Sequence, residues 1–337
     1  MFSVTADTRL SDYLALPELA PYRRYMLYSP LGIHENEPFA SATFLSLSQI
    51  GWSTEGMVAG ADFFLRAVRE GRADIHAVYA PEACADDPMK RDVNLIRLSP
   101  ARPDADRPVV VLCAGGGYQS VCTLVEAIPT ARHMVEAGYT VFLMTYRVGV
   151  EPAAAVALDD LGQAVRWLGA HAAALGVGMR RYAVGGYSAG GNLVCNWGCA
   201  HIGWKKYGAP KPVCLFPIYA VADMKSELAE KGPSDFLITT LGKNWREMID
   251  VYNAVDHIDA DYPPCYIVCG RDDAVVPCAQ SELIKARLDR SGVPAVLEEG
   301  DHAQHGFGDG TDTDVAGWPA RALAFMGRLA EEAHDAC

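Results

Sequence analysis

Thirteen residues decide the fold of this protein: YAVGGYSAGGNLV, residues 182–194. The apolar run up to Gly186 predicts a buried strand, and the residues after Ser188 predict a helix. A serine in a G-x-S-x-G turn between a strand and a helix holds its hydroxyl exposed above the end of a sheet. Glycines suit this turn because a Cβ would strike neighbouring backbone. Ser188 is therefore the candidate nucleophile, and the helix after it points free N–H groups at the site.

Short apolar runs alternate with helical patterns on both sides of this stretch. The alternation predicts an α/β fold, a mainly parallel sheet covered by helices on both faces. About eight strands are predicted, at residues 75–79, 93–98, 109–113, 141–146, 182–186, 213–216, 266–269 and 295–299. Helices are predicted at residues 124–137, 153–174, 189–201, 279–290 and 315–333. No helix separates the first two strands, so we expect them to form an antiparallel hairpin.

Two regions lie outside this alternation. Residues 1–72 carry apolar helical pieces such as 55–68 but no strand, and they are predicted to form an N-terminal helical extension of the catalytic domain at 73–337. The stretch 218–258 is long for a connection inside a compact domain and is predicted to be a cap-like insert. Either region is a candidate lid over the site. For the N-terminal extension, packing at the edge of the sheet is the alternative.

The composition argues against several classes of partner. The formal net charge is −13 at pH 7, whereas phosphates are bound by clustered Lys and Arg, so no nucleic-acid partner is expected. The N-terminus lacks a basic stretch followed by an apolar run, so no signal peptide is expected. No uncharged apolar run reaches about 18 residues, so no membrane insertion is expected and a cytoplasmic location is predicted. The sequence leaves the oligomeric state open.

The ten cysteines are expected to be buried free thiols, as is usual in a reducing cytosol. Four of them lie in or beside apolar strand-like runs: Cys113, Cys214, Cys265 and Cys269. Cys195 and Cys199 are one helical turn apart, but no nearby His or Cys pair completes a zinc site. Neither a disulfide nor a metal site is therefore expected.

A second glycine-rich stretch, CAGGGY at residues 113–118, follows the third predicted strand. Its small residues allow backbone N–H groups to approach a substrate oxygen. The N–H groups of Gly116, Gly117 and Ala189 are the predicted donors of an oxyanion hole. A phosphate-binding loop is the alternative, but the spacing fits neither G-x-G-x-x-G nor the lysine-containing P-loop.

Two late loops offer the acid and the base that a nucleophilic serine needs. GRDDAVVP, residues 270–277, follows the strand at 266–269, and GDHAQHGFG, residues 300–308, follows the last strand. The candidates therefore occur in the order Ser, Asp, His along the chain.

Each of these loops contains two candidates. Adjacent side chains in an extended loop point apart, so only one of Asp272 and Asp273 can orient the base. His302 is nearer the end of the strand, whereas His305 lies farther into the loop. Spacing alone separates neither pair.

Other residues near these motifs have structural explanations. Arg147 and Asp160 are expected to form a structural ion pair. Tyr118 is expected mainly to pack, although its place beside the oxyanion loop also makes it a candidate substrate contact. Tyr187, next to the nucleophile, is a second candidate substrate contact.

The chain resembles the esterase and lipase-like branch of the α/β hydrolases, close to bacterial acetyl esterases and to xylan-deacetylating or feruloyl-type esterases. The similarity covers roughly residues 93–333, and residues 1–72 match no family that we can name. It rests on the elbow at 186–191, the oxyanion loop at 114–118, the segments 126–129, 138–139 and 146–148, and the loops at 270–277 and 305–308. Ala114 stands where the family's loop often begins with His or Pro.

The resemblance implies the α/β-hydrolase fold and chooses between the open candidates. The family's G-x-x-D-x-x-V-P pattern places the acid at Asp273, and its H-G-F pattern places the base at His305. The implied enzyme is a serine esterase that cleaves small, short-chain or acetyl esters through an acyl-enzyme. It needs no metal or organic cofactor, and its partner is a small-molecule ester.

Two other functions fit the same residues. Related folds cleave amides, peptides or formamides with this triad, because specificity depends on the pocket. A ligand-binding protein on an inactive hydrolase scaffold is the second alternative. Inactive scaffolds usually lack the Ser or the His, and this chain contains both.

Overall fold

Eight strands form one mixed sheet in the part of the chain that the computed structural model describes, residues 2–37, 39–48 and 52–335, with side chains excepted at 180 and 330–335. The strands are β1 (Ala73–Ala77), β2 (Asn94–Leu98), β3 (Pro108–Cys113), β4 (Val141–Thr145), β5 (Gly178–Tyr187), β6 (Cys214–Ile218), β7 (Cys265–Gly270) and β8 (Ala295–Gly300). Their order across the sheet is β1-β2-β4-β3-β5-β6-β7-β8.

The direction of each strand follows from its connection. β2 runs antiparallel to both β1 and β4, and the predicted hairpin of the first two strands is confirmed. All other neighbours are parallel, because helical crossovers connect them. β3, β4, β6 and β7 are buried along their whole length, as expected for strands covered on both faces.

Helices cover both faces of this sheet, so the α/β-hydrolase fold expected from the sequence is confirmed. Within the described residues the α-helices are α1 (Leu10–Leu14), α2 (Arg23–Met26), α3 (Phe44–Leu47), α4 (Thr54–Arg69), α5 (Ile128–Glu136), α6 (Ala153–Leu175), α7 (Ser188–Gly198), α8 (Met224–Lys231), α9 (Asp235–Leu241), α10 (Trp245–Tyr252), α11 (Ala279–Arg290) and α12 (Trp318–Asp335). None of these helices combines the length and the apolar composition needed to span a bilayer.

One predicted helix differs from the structure in a way that matters for the site. Residues 124–137 were expected to form a single α-helix, but Thr123–Ala127 forms a π-helical turn and α5 begins only at Ile128. Pro129 has no N–H to donate to the carbonyl four residues earlier, so a regular α-helical bond is impossible there. A wide π turn of this kind often occurs at functional sites.

The N-terminal residues pack closely on the rest of the domain. Helix α4 packs against α5, and a Cβ at Gly60 would lie only 3.0 Å from the backbone of Pro129. The Tyr13 hydroxyl donates to the Ala61 carbonyl at 3.0 Å and joins α1 to α4. Whether residues 1–72 act as a lid stays a prediction.

The stretch 218–258 folds into helices α8, α9 and α10. Asp223 and Ser234 cap the first two helices by accepting backbone N–H groups, which supplies partners to the free ends of short helices. The Asn192 amide donates to the Val221 carbonyl at 2.8 Å and fixes the start of the insert to α7. The insert is therefore anchored to the helix that carries the candidate nucleophile.

The cysteine prediction was wrong for one pair. Cys269 and Cys278 form a disulfide, with their Cα atoms 5.7 Å apart. The chain turns back between β7 and α11, which brings these two residues within the range that a disulfide requires. The unpaired cysteines of the described chain are buried, as expected: Cys84, Cys113, Cys122, Cys195, Cys199, Cys214 and Cys265.

Candidate active site

Ser188 lies at the turn between β5 and α7. Its φ is +51°, a left-handed conformation that is strained for a residue with a side chain and that recurs at functional sites. A Cβ at Gly190 would lie 2.1 Å from the Cys113 carbonyl oxygen. Only glycine therefore allows α7 to begin so close to the end of β3, and this contact aims the serine at the edge of the sheet.

His305 lies between Ser188 and Asp273. Its Nε2 is 3.0 Å from Ser188 Oγ, and its Nδ1 is 2.7 Å from Asp273 Oδ2. Both distances are within hydrogen-bond range. The structure thus brings together three side chains from loops after β5, β7 and β8.

The two aspartates of the acid loop have different partners. Asp273 Oδ1 accepts the N–H groups of Val275 and Val276, each at 2.8 Å, which leaves Oδ2 for His305. Asp272 instead accepts the N–H of Ala303 at 2.9 Å. One aspartate orients the imidazole, and its neighbour fastens the acid loop to the base loop.

The base loop separates its two histidines. His302 is exposed, and its backbone N–H donates to Asp314. His305 is mostly buried beside the ring of Tyr219, with ring centres 4.9 Å apart. Gly306 follows it with φ +88°, a conformation that turns the chain sharply and that glycine adopts at no steric cost.

The oxyanion loop is oriented by hydrogen bonds to its carbonyl groups. The Gly115 carbonyl accepts the N–H of Cys122 at 2.9 Å, and the Gly116 carbonyl accepts from Gln119 and Ser120 at 3.0 Å. In a trans peptide the N–H points opposite to the C=O, so the N–H groups of Gly116 and Gly117 point away from these bonds. Both glycines line the cavity that contains Ser188.

Ala189 is the second residue of α7 and is buried. Its N–H belongs to the first helical turn, where backbone donors have no partner within the helix. It therefore remains a candidate third donor beside Ser188.

The two tyrosines predicted to contact substrate do not line the cavity. Tyr118 and Tyr187 are fully buried, and the Tyr118 hydroxyl donates to Asn192 at 2.9 Å. Tyr118 instead packs behind the wall, stacked on Phe236, which does line the cavity. Both tyrosines therefore pack inside the protein and do not contact the cavity.

The cavity above Ser188 has a volume of about 640 Å³. Trp52 lines it from the N-terminal region and Phe236 from the insert. Glu227 and Lys231, 3.1 Å apart, also line it from α8. Lys231 donates to the Val275 carbonyl at 3.0 Å and joins the insert to the acid loop. A cavity of this size suits a small substrate.

Glu126 is a functional candidate that the sequence interpretation missed. It lies in the π turn, lines the cavity and is 4% exposed. Burial raises the pKa of its carboxyl to about 7, against the lowering effects of the Gly115 N–H, the His305 charge and the Tyr219 hydroxyl. The available signal was a lone acidic residue in an otherwise apolar helical run, three residues before a proline.

One group of side chains has metal-ligand geometry within the described residues: Cys269, Cys278 and Glu299. Thiolates are the ligands that metals take from cysteine, and these two sulfurs are joined in the disulfide. Cys269 and Cys278 flank the acid loop in the sequence, and none of the three residues lines the cavity.

The sheet order, the serine elbow after β5 and the acid and base loops after β7 and β8 define the α/β-hydrolase fold. Within this fold class, the BD-FAE family model matches residues 97–288, more than half of the chain. The chain therefore belongs to the BD-FAE family.

Similar proteins agree with this class. The chain is 26% identical over 232 residues to the probable carboxylic ester hydrolase LipM of Mycobacterium tuberculosis, covering 61% of this chain and 52% of that protein. It is 24% identical over 233 residues to endo-1,4-beta-xylanase B of Butyrivibrio fibrisolvens, covering 64% of this chain and 35% of the relative. The chain thus spans well under two thirds of these relatives.

A solved structure has the same fold. The acetyl ester-xyloside bifunctional hydrolase from Caldicellulosiruptor lactoaceticus superposes with a TM-score of 0.66 at 23% identity, over 76% of this chain and 96% of the other. At this level of identity the similarity concerns the fold alone.

Proposed function

We propose that the protein is a serine esterase that hydrolyses small carboxylic esters, with Ser188 as nucleophile, His305 as base and Asp273 as the acid that orients it. The observation that carries the proposal is the position of His305, 3.0 Å from Ser188 Oγ and 2.7 Å from Asp273 Oδ2. Proton transfer from serine to a carboxylate-oriented imidazole is the chemistry that this geometry supports.

The reaction proceeds in two steps. His305 removes the proton of Ser188 as Oγ attacks the ester carbonyl, and the N–H groups of Gly116, Gly117 and Ala189 bind the oxyanion. His305 then protonates the departing alcohol. Water enters, loses its proton to His305 and releases the acid from the acyl-enzyme by the same route.

Short acyl groups are the proposed substrates. The cavity of about 640 Å³ leaves limited room once an alcohol is bound. One relative favours an ester over an amide, since it is named a probable carboxylic ester hydrolase.

A panel of nitrophenyl esters from acetate to long-chain acids, with matched nitroanilides, tests the proposal. The short esters should turn over fastest, and Ser188→Ala should lose at least about 10⁴-fold in kcat. A fluorophosphonate probe should label the wild type but not the variant, because labelling requires an activated serine. Faster cleavage of anilides would replace the esterase by an amidase, and a wild type that neither turns over nor reacts with the probe would contradict a serine hydrolase.

A further inference from the structure

One peptide unit in the oxyanion loop is held at both ends. The Ala114 carbonyl accepts the hydroxyl of Tyr146 at 2.6 Å, and the N–H of Gly115, in the same peptide unit, donates to Glu126 Oε2 at 2.5 Å. Because the two groups of a trans peptide point in opposite directions, these two bonds fix the plane of this unit. The next two peptide units carry the N–H groups of Gly116 and Gly117, so their direction depends on this anchor.

The other oxygen of Glu126 reaches the base loop. Glu126 Oε1 accepts the hydroxyl of Tyr219 at 3.1 Å, and the oxygen of Tyr219 accepts the N–H of Gly308 at 3.4 Å. The ring of Tyr219 also lies beside His305. One buried carboxyl therefore joins the loop that carries the oxyanion donors to the loop that carries the base.

We propose that Glu126 is a positioning residue, which holds the oxyanion loop and the base loop in register by accepting the Gly115 N–H with one carboxyl oxygen and the Tyr219 hydroxyl with the other. This inference rests on the proposed esterase function and assigns a role that the Ser-His-Asp mechanism does not include. A carboxylate suits the role, since both of its oxygens are acceptors. Protonation would turn one oxygen into a donor and disturb one of the two bonds.

The surroundings of Glu126 make this role dependent on pH. The groups that face the carboxyl are His305, Tyr219, Tyr146, Tyr187 and Cys122. Burial raises the pKa of Cys122 to about 12 and the pKa of each of the three phenols well above its ordinary range. With the pKa of Glu126 at about 7, protonation of this carboxyl should add one ionisation to the fall of activity on the acidic side.

Three variants test the role. Glu126→Leu leaves the Gly115 N–H and the Tyr219 hydroxyl without an acceptor, whereas Glu126→Gln keeps an oxygen for the N–H but presents a donor to the Tyr219 hydroxyl, as the protonated carboxyl would. Glu136→Gln, an exposed carboxylate in α5, is the matched control. Each is measured for kcat and KM on the best short nitrophenyl ester, for the slope of log kcat/KM against pH, and for melting temperature.

We expect Glu126→Leu to lose roughly 10²-fold in kcat with little change in KM, as when an oxyanion donor is misplaced. Glu126→Gln should lose less in kcat at pH 8 than the leucine variant, and the slope of its acidic limb should be lower by one than that of the wild type, because glutamine does not titrate. Glu136→Gln should match the wild type in all three measurements.

Three results would overturn the role. They are a folded Glu126→Leu with unchanged kcat, a Glu126→Leu whose loss is in KM alone, and a Glu126→Gln with the wild-type acidic slope. If the leucine variant does not fold, the slope of the glutamine variant alone decides the question. A wild type without ester turnover or probe labelling refutes the proposed function itself, whereas an active wild type with unaffected variants refutes only the role of Glu126.

Discussion

Two buried aspartates each bind a basic side chain, and only one of these pairs faces the cavity. Asp160 accepts the backbone N–H of Arg147 at 2.8 Å, its guanidinium at 2.6 Å and the hydroxyl of Tyr79 at 2.7 Å. Arg147 also donates to Asp87, so the cluster is closed. Asp273 binds His305 at 2.7 Å, but the other nitrogen of His305 faces Ser188 at the cavity.

The structural pair and the functional pair share two features and differ in a third. Burial and a short carboxylate contact are common to both. The difference is that Arg147 donates to Asp160, Asp87 and Tyr79, while His305 keeps one nitrogen directed at a nucleophile. A buried pair therefore suggests chemistry only when one member also directs a hydrogen-bonding atom at a cavity.

The largest effect should come from Asp273→Asn. An amide in this position can stabilise the wrong imidazole tautomer, so we expect a loss of about 10⁴-fold in kcat with a nearly unchanged melting temperature. Asp272→Asn is the matched control, because the amide oxygen can still accept the Ala303 N–H, and it should cost far less. Steady-state kinetics on one ester measure both variants, and the reverse ranking would exchange the two aspartates.

Asp160→Asn should affect stability and leave the chemistry intact. It removes the negative charge that pairs with the buried guanidinium of Arg147, which costs about 3 kcal/mol of unfolding free energy. Asp159→Asn, an exposed neighbour in α6, should stay close to the wild type. Denaturant unfolding gives the stability and kcat of the folded protein gives the activity. A large loss of kcat without loss of stability would mean that the closed cluster is catalytic after all.

Glu126 extends the comparison to a buried carboxyl without a basic side chain bonded to it. Its pKa in the folded protein, about 7, is raised above the ordinary 4.5. The stability linked to this raised pKa is complete below about pH 4.5 and is lost as pH rises through about 7. Glu126→Gln does not titrate at this position. The melting temperature of the variant relative to that of the wild type should therefore rise between pH 5 and pH 8, by on the order of a few degrees. A constant difference across this range would contradict the raised pKa.

The smallest effects should come from the two candidate lids. Trp52→Ala and Phe236→Ala each remove one cavity wall, from the N-terminal region and from the insert respectively. The wider cavity should raise activity on longer acyl chains relative to acetate by roughly 10-fold, which is the effect of one or two methylene groups in a pocket. Lys243→Ala, an exposed residue of the insert, should leave the ratio unchanged. The variant that leaves the chain-length preference unchanged excludes its segment as a lid.

The fold could be predicted from the sequence because its signals are local. Strand and helix periods depend on side-chain burial along one segment, and each of the eight predicted strands overlaps an observed one. The errors occur at the starts of helices, where a proline or a glycine changes the backbone. The helix predicted from residue 124 begins with a π turn, and the predicted helix at 315 begins only at Trp318, after Gly317 with φ +81°.

The candidate site was predicted in part. Sequence order and motif resemblance indicated Ser188, Asp273 and His305, and the structure brings these three together. The choice between Asp272 and Asp273 needed the resemblance, because adjacent residues share every local signal. Tyr118, which was expected mainly to pack, and Tyr187 do not line the cavity, since closeness in sequence to a reactive residue does not tell which way a ring points.

The sequence by itself determined the sheet, the serine elbow and the order of the three loops, because each depends on neighbours within about ten residues. The tertiary structure alone decided the partners that come from distant segments. Glu126 meets Gly115 and Tyr219, Asp272 meets Ala303, and Cys269 meets Cys278 only after the loops fold together. A hydrogen bond forms or fails over a few tenths of an ångström, and the periodicity of a sequence does not specify distances between distant segments to that precision.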